Sequence, residues 1–366
     1  MSSTSVPVLA PVVEPVVEPS QVQRLLLVKL SSLGDVVHTL PLLEALRAGL
    51  NPNIHIGWAV RKKFADLLIG NPHLSQLYTL VGSSPADVLG FGRSLCQEEF
   101  DTVCDVQGLL VSGVVTRLAG RKRRIGFDLN REGNALFMTH PVVPGRERRH
   151  MVERLMGFCD VLGVPRVPPR PQTYLIEGER QAAAELLATV QGSPIVGCFV
   201  GASTPEKTWH AERWVELAQR LAKDGMAVVL LGGSGETAIA EAIQKASEGA
   251  IPLSLAGKTS PRVLASVLAQ CDVVVGGDSG PTHLAVAVGT PVVGLYGVTD
   301  PMRTGVQWGA SPARILDFVE AEAPPETRRP RHPTVSDALG RISASAVVEA
   351  VLHLFAERTA KGGDSI

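Results

Sequence analysis

The chain has 366 residues, 45% hydrophobic and 4% aromatic, with a formal net charge of −1. That length exceeds one ordinary core and suits two domains of roughly 150 residues each. No apolar run reaches the about 18–20 uncharged residues of a transmembrane helix, so a soluble or membrane-peripheral protein is expected. No nucleic-acid partner is expected.

Residues 1–20, MSSTSVPVLAPVVEPVVEPS, contain a VVEP repeat broken by prolines and no basic start. They read as a disordered tail and not as a signal peptide. RLLLVKL (24–30) is a short, branched, apolar run like a buried parallel strand, and Val36, Val37, Leu40, Leu43, Leu46 and Leu50 then recur at helical spacing. Strand-like runs at 54–60, 101–108 and 123–128 follow with helical patterns between them, a βα alternation that predicts a parallel sheet covered on both faces. This first domain spans 21–172 and ends in the proline-crowded stretch 161–174, a stiff linker. A second alternation fills 173–340, with strands at 195–200, 226–233, 251–257, 272–278 and 291–297 and helices at 211–223, 236–247, 261–269 and 281–288. After the polar PPETRRPRHP (324–333), the C-terminal segment 341–366 carries one amphipathic helix over 343–358. The predicted class is α/β, two Rossmann-like domains in tandem. The five cysteines form no CxxC pair, which predicts a reduced, cytoplasmic protein without structural zinc.

Three stretches carry candidate chemistry. VKLSSLGDVVHTLP (28–41) is a strand–loop–helix corner, the place where open α/β sheets bind ligands. Asp35 stands there near the start of the helix, either as a cap for its first amides or as a functional carboxylate. In GGDSGPTHLAVAVGTPVVGLYGVTDP (276–301), two glycines let the backbone approach a ligand, and Asp278, Ser279 and Gly280 lead into a helix whose start suits a phosphate. The plainer alternative is a well-capped helix with His283 merely packed. In VGASTPEKTWHAERWVELA (200–218), a strand ends in small and hydroxylated residues, and Lys207 follows before a helix. Alone, Lys207 reads equally as a solvated loop charge.

Two lookalikes are weaker. Residues 233–238 fit GxGxxA, but no acidic residue ends the next strand, where the ribose of a dinucleotide such as NAD needs one. Gly257-Lys258-Thr259 ends like a P-loop, yet Pro252 stands where its first glycine belongs.

Together, LLLVKLSSLGDVVHTLPLLEAL, FDTVCDVQGLLVSGVVTRLAGRKRRIGFD, GASTPEKTWHAERWVELA and GGDSGPTHLAVAVGTPVVGLYGVTDP make the chain resemble glycosyltransferase family 9, the ADP-heptose:lipopolysaccharide heptosyltransferases, from about residue 23 to 356. The resemblance implies a GT-B architecture, with the acceptor in the first domain, the nucleotide sugar in the second, a cleft between them, and a last helix crossing back to the first domain. It assigns Asp35 as general base of an inverting transfer. It also implies that Ser203, Thr204 and Lys207 hold the diphosphate, that Asp278 faces the sugar, and that Ser279, Gly280 and His283 complete the phosphate pocket. Glu236 is a looser candidate for the ribose. No DxD motif occurs, which agrees with a metal-independent mechanism and no cofactor.

Charge adds an expectation about the acceptor. Residues 21–172 carry 19 Lys/Arg against 13 Asp/Glu, whereas 173–366 carry 16 against 21. The basic excess falls at 61–63, 121–124 and 146–154. Such runs are often only a solvated face. With the resemblance, Arg61, Arg123, Arg124, His150 and Arg154, beside Ser31, Ser32 and Gly34 of the corner, are candidates for holding an anionic lipopolysaccharide core. Peripheral contact with the cytoplasmic face of the inner membrane follows as an expectation.

Overall fold

The computed structural model describes residues 15–143, 150–166, 173–201, 207–317 and 339–362. The chain divides into two compact units, Met1–Arg170 and Pro171–Ile366.

In chain order the first unit has β1 (Arg24–Val28), α1 (Leu33–Gly49), β2 (His55–Arg61), α2 (Lys62–Ala65), β3 (Gln76–Leu80), α3 (Pro85–Cys96), β4 (Thr102–Asp105), α4 (Leu110–Ala119), β5 (Arg123–Phe127), β6 (His140–Val143) and α5 (Met151–Val161). The strands form one parallel sheet in the order β3-β2-β1-β4-β5-β6. Leu25, Leu26, Leu27 and Val28 of β1 are all fully buried, because helices cover both faces of a parallel sheet.

The second unit repeats the plan with α6 (Glu177–Leu186), β7 (Ile195–Phe199), α7 (Ala211–Lys223), β8 (Ala227–Leu231), α8 (Thr237–Ala246), β9 (Leu253–Ser254), α9 (Pro261–Gln270), β10 (Val273–Gly277), α10 (Gly280–Ala287), β11 (Val292–Tyr296), α11 (Pro301–Thr304), β12 (Ala313–Asp317) and α12 (Ala344–Gly362). Its parallel order, β12-β11-β10-β7-β8-β9, is that of the first sheet counted from its own first strand. In both sheets the strand order reverses once, between β1 and β4 and between β7 and β10. Loops diverge there, and the carboxyl ends of the two flanking strands leave a crevice for a ligand.

Three expectations change. The tail is shorter than 1–20: the Val16 amide donates to the Val161 carbonyl at 2.8 Å, and Val17 is buried. Helix α1 begins at Leu33 after the N-cap Ser32, so Asp35 is its third residue and not its cap position. Strands β3, β6 and β12 had no counterpart in the sequence reading. All three are edge strands, half-exposed in β3 and β12 and holding Pro141 in β6, so they lack the continuous apolar run of an interior strand. The last helix, α12, is a core element of the second unit. Val347, Val351 and Leu354, at helical spacing, are buried in one cluster with Trp209, Trp214, Val273 and Val293. The Trp209 indole N–H also donates to the Ile342 carbonyl at 3.1 Å, tying the start of this segment to the same unit.

Candidate active site

At the first switch point, β1 runs out into Lys29, Leu30, Ser31 and Ser32 before α1 begins. The loop is clamped from both neighbouring strands. The Lys29 amide donates to the Ala59 carbonyl at 3.1 Å, and the Leu30 and Ser31 amides both donate to Gln107 Oε1 at 3.1 Å. Gln107 is itself held by Asp105 at the end of β4, whose Oδ1 accepts from the Gln107 and Gly108 amides at 3.0 and 2.9 Å. Asn134 donates to the other oxygen at 2.8 Å. Burial raises the Asp105 carboxyl above its ordinary range, against those hydrogen bonds.

Asp35 closes this corner from the helix side. Its Oδ2 accepts from the Ser32 amide and hydroxyl, each at 2.9 Å, a capping box that fixes the carboxylate over the first turn. Oδ1 lies 3.7 Å from the ammonium of Lys29, which is buried, while the Asp35 side chain is 33% exposed. The two readings of Asp35 are therefore compatible, since the carboxylate caps the helix while its side chain stays partly exposed.

Of the basic candidates, some reach this edge and some do not. Arg61 ends β2 at the carboxyl edge and donates to the Gly82 carbonyl and the Ser83 hydroxyl at 3.1 and 3.0 Å. His150 caps α5 through Nδ1 and meets the buried His38 of α1 edge-on, with ring centroids 5.6 Å apart. The Arg154 guanidinium lies over the Phe127 ring at the carboxyl end of β5. Gly34 is buried in the first turn of α1. Arg123 and Arg124 correct the expectation that they border this site. They open β5, in register with Thr102 and Val103, which places them at the amino edge of the sheet. Arg123 there approaches Asp101 and Gln21, and Arg124 clasps the carbonyls of Phe137 and Gly120.

At the second switch point, β10 ends in Gly276 and Gly277, and a Cβ on Gly277 would lie 2.9 Å from the Lys207 carbonyl oxygen. That close approach brings Lys207, from the loop after β7, onto Asp278. The Lys207 ammonium donates to Asp278 Oδ2 at 3.2 Å, the Thr304 hydroxyl donates to the same oxygen at 3.2 Å, and His283 Nε2 is 3.2 Å from Oδ1. An indole N–H can only donate, so the contact of Trp308 Nε1 with His283 Nδ1 at 3.4 Å directs the ring's Nε2 proton at Asp278. Burial alone would raise the Asp278 carboxyl, but the His283 hydrogen bond and the Lys207 ammonium outweigh it and hold the group at about 2.

Ser279 occupies the cap position of α10 without capping it. Its hydroxyl meets Thr282 Oγ1 at 3.0 Å, and the buried Thr282 hydroxyl donates to the Gly277 carbonyl at 2.7 Å. Gly280 is the first residue of that helix. Glu236 belongs to the same carboxyl edge, with its side chain packed on Gly201 after β7 and Oε2 accepting from the Gly233 amide at 2.7 Å. A carboxylate thus already occupies the glycine loop that a dinucleotide's diphosphate would use. Ser203, Thr204, Arg146, Arg148 and Arg149 lie outside the described residues.

Sequence reasoning missed Lys29, Asp105, Gln107, Thr304 and Trp308. Only Lys29 left a signal, a charge inside the apolar run RLLLVKL. Among the described residues no helix is long and apolar enough to cross a membrane, and no group of three or more His, Cys, Asp or Glu is placed to hold a metal.

Two Rossmann-like units in tandem, each with its polar cluster at a switch point, match the GT-B glycosyltransferases among solved structures. E. coli heptosyltransferase WaaC with ADP superimposes with a TM-score of 0.70 at 26% identity, covering 91% of this chain and 100% of that one. A glycosyl transferase family 9 structure from Veillonella parvula shares the fold with a TM-score of 0.80 at 23% identity, covering 92% and 97%. Residues 88–331 match the model of glycosyltransferase family 9 (heptosyltransferase), and the chain belongs to that family. Lipopolysaccharide heptosyltransferase 1 of Pseudomonas aeruginosa is 33% identical over 300 residues, 77% of this chain and 81% of that one. Its E. coli K12 counterpart is 32% identical over 296 residues, 77% and 90%.

Proposed function

We propose that this chain transfers heptose from ADP-heptose to the inner core of lipopolysaccharide with inversion, and that Asp35 is the general base. The observation that carries the base role is the asymmetry of its carboxylate. One oxygen is anchored to Ser32, the other lies beside a buried cation, and the side chain as a whole stays 33% exposed at a switch point. Asp35 takes the proton of the acceptor hydroxyl as that oxygen attacks the anomeric carbon from the face opposite the nucleotide. The bond from that carbon to the diphosphate breaks, and ADP leaves with the electron pair.

In the second unit, Lys207 and the first turn of α10 stabilise the charge that grows on the diphosphate. Ser203 and Thr204 add hydroxyls, Ser279, Gly280 and His283 complete the phosphate pocket, Asp278 faces the sugar, and Glu236 meets the ribose. Lys207 is paired with Asp278, the carboxylate that faces the sugar, which holds the cation beside the first turn of α10. In the first unit, Ser31, Ser32, Arg61, His150 and Arg154 hold a polyanionic acceptor, and the protein works on the cytoplasmic face of the inner membrane by peripheral contact. The names of the relatives, which are lipopolysaccharide heptosyltransferases, and the ADP carried by the WaaC structure support this substrate class.

Mass spectrometry of a core acceptor incubated with ADP-heptose, or with a panel of ADP- and UDP-sugars, tests the reading. The acceptor gains one heptose and ADP is released. A gain of a different sugar from another nucleotide overturns the donor assignment, and no gain with any of them overturns the transferase reading of this site.

A further inference from the structure

We propose that Lys29 is the positioning residue for Asp35, holding the base carboxylate in place by its charge. The inference rests on the reading of Asp35 as general base. An ammonium excluded from water is costly unless it is paired and hydrogen-bonded, and Lys29 is only 3% exposed. Its partners are specific. Nζ donates to the Val106 carbonyl at 3.0 Å and lies 3.7 Å from Asp35 Oδ1. At the second distance the ammonium is well within Coulomb range of the carboxylate, so Lys29 attracts and orients it.

The surroundings keep the ammonium in place. Its main chain is clamped on one side by β2, through the Ala59 carbonyl and the Trp58 indole N–H, which donates to the Lys29 carbonyl at 3.2 Å. On the other side the Gln107 carboxamide holds the next two residues. The charged groups facing it are Asp35 from α1, Asp105 from the end of β4 and Arg154 from α5. Burial lowers the proton affinity of Lys29, and the two carboxylates restore part of it. The arrangement is therefore a buried, tethered side chain rather than a solvated surface lysine.

The test is a double-mutant cycle on the full chain with Lys29→Met, which keeps the length of the stem, and Asp35→Asn. Lys29→Met lowers kcat by about 10²-fold, the scale of a misplaced catalytic group, with acceptor KM and the calorimetric affinity for ADP unchanged. In the Asp35→Asn background it lowers kcat no further, because the group it positions is already gone. If Lys29→Met does not fold by circular dichroism, Lys29→Gln gives the same readout, keeping a donor for Val106 without the charge. Wild-type kcat in the Lys29 variant, while Asp35→Asn is inactive, overturns the positioning role and leaves the base assignment standing. An equal loss in both backgrounds also overturns it. Full activity of Asp35→Asn removes the base reading itself, and this inference with it.

Discussion

Replacing Asp278 by asparagine removes the carboxylate on which Lys207, Thr304 and His283 converge. The group is held at about 2 against an ordinary 3.8. At about 1.4 kcal/mol per unit, its ionised form contributes about 2 kcal/mol to the stability of the second unit at neutral pH. The side chain is only 11% exposed, so solvent screening takes little of this away. Because the folded value lies below the unfolded one, the contribution is complete above the unfolded value and is lost as pH falls toward the folded one. The gap in unfolding free energy between wild type and Asp278→Asn should be about 2 kcal/mol at about pH 6 and should fall to roughly half that at about pH 3. Urea titrations followed by tryptophan fluorescence read it, since Trp209, Trp214 and Trp308, three of the four tryptophans, lie in the second unit. Other carboxylates titrate in both proteins and cancel in the difference. A gap that is absent, or equally large at the two pH values, refutes the electrostatic account of this cluster.

Lys207→Ala should weaken ADP binding by about 1.5–3 kcal/mol, the scale of a charge-assisted phosphate contact, and unchanged binding by calorimetry would return Lys207 to a loop charge held only by Asp278. The basic residues should separate by edge. Arg61→Glu and Arg154→Glu raise the acceptor KM, whereas Arg123→Glu, at the amino edge, does not. Raising salt from about 50 to about 300 mM should raise the acceptor KM far more than the donor KM, and equal effects on both would argue against a polyanionic acceptor.

Interior strands were legible because burial on both faces writes a continuous apolar run, as in RLLLV and VVVGG. The edge strands QLYTL, HPVV and ARILD carry no such run, and the strand order that creates the switch points is written only in long-range pairing. The corner around Asp35 was legible as a corner because strand, turn and helix follow one another in the chain. What converges on Asp278 was less so. Lys207 is 71 positions away and Thr304 is 26, and no local pattern links them. The arginines at 123 and 124 illustrate a misreading that strand direction alone could have prevented. A run that immediately precedes a parallel strand sits at its amino end, whereas Asp35 follows a strand and sits at the carboxyl edge. The final helix was recognised by its periodicity, but periodicity says nothing about which core an apolar face will cover.

The role of Asp35 is tested most directly by the single-turnover rate of Asp35→Asn with ADP-heptose and a lipopolysaccharide-core acceptor, measured beside its affinity for ADP. Asparagine can keep the capping bond to Ser32 but cannot accept the proton. The rate should fall roughly 10²–10⁴-fold with ADP binding and the circular dichroism spectrum unchanged. A folded variant that transfers heptose at the wild-type rate would contradict the account and place the base elsewhere.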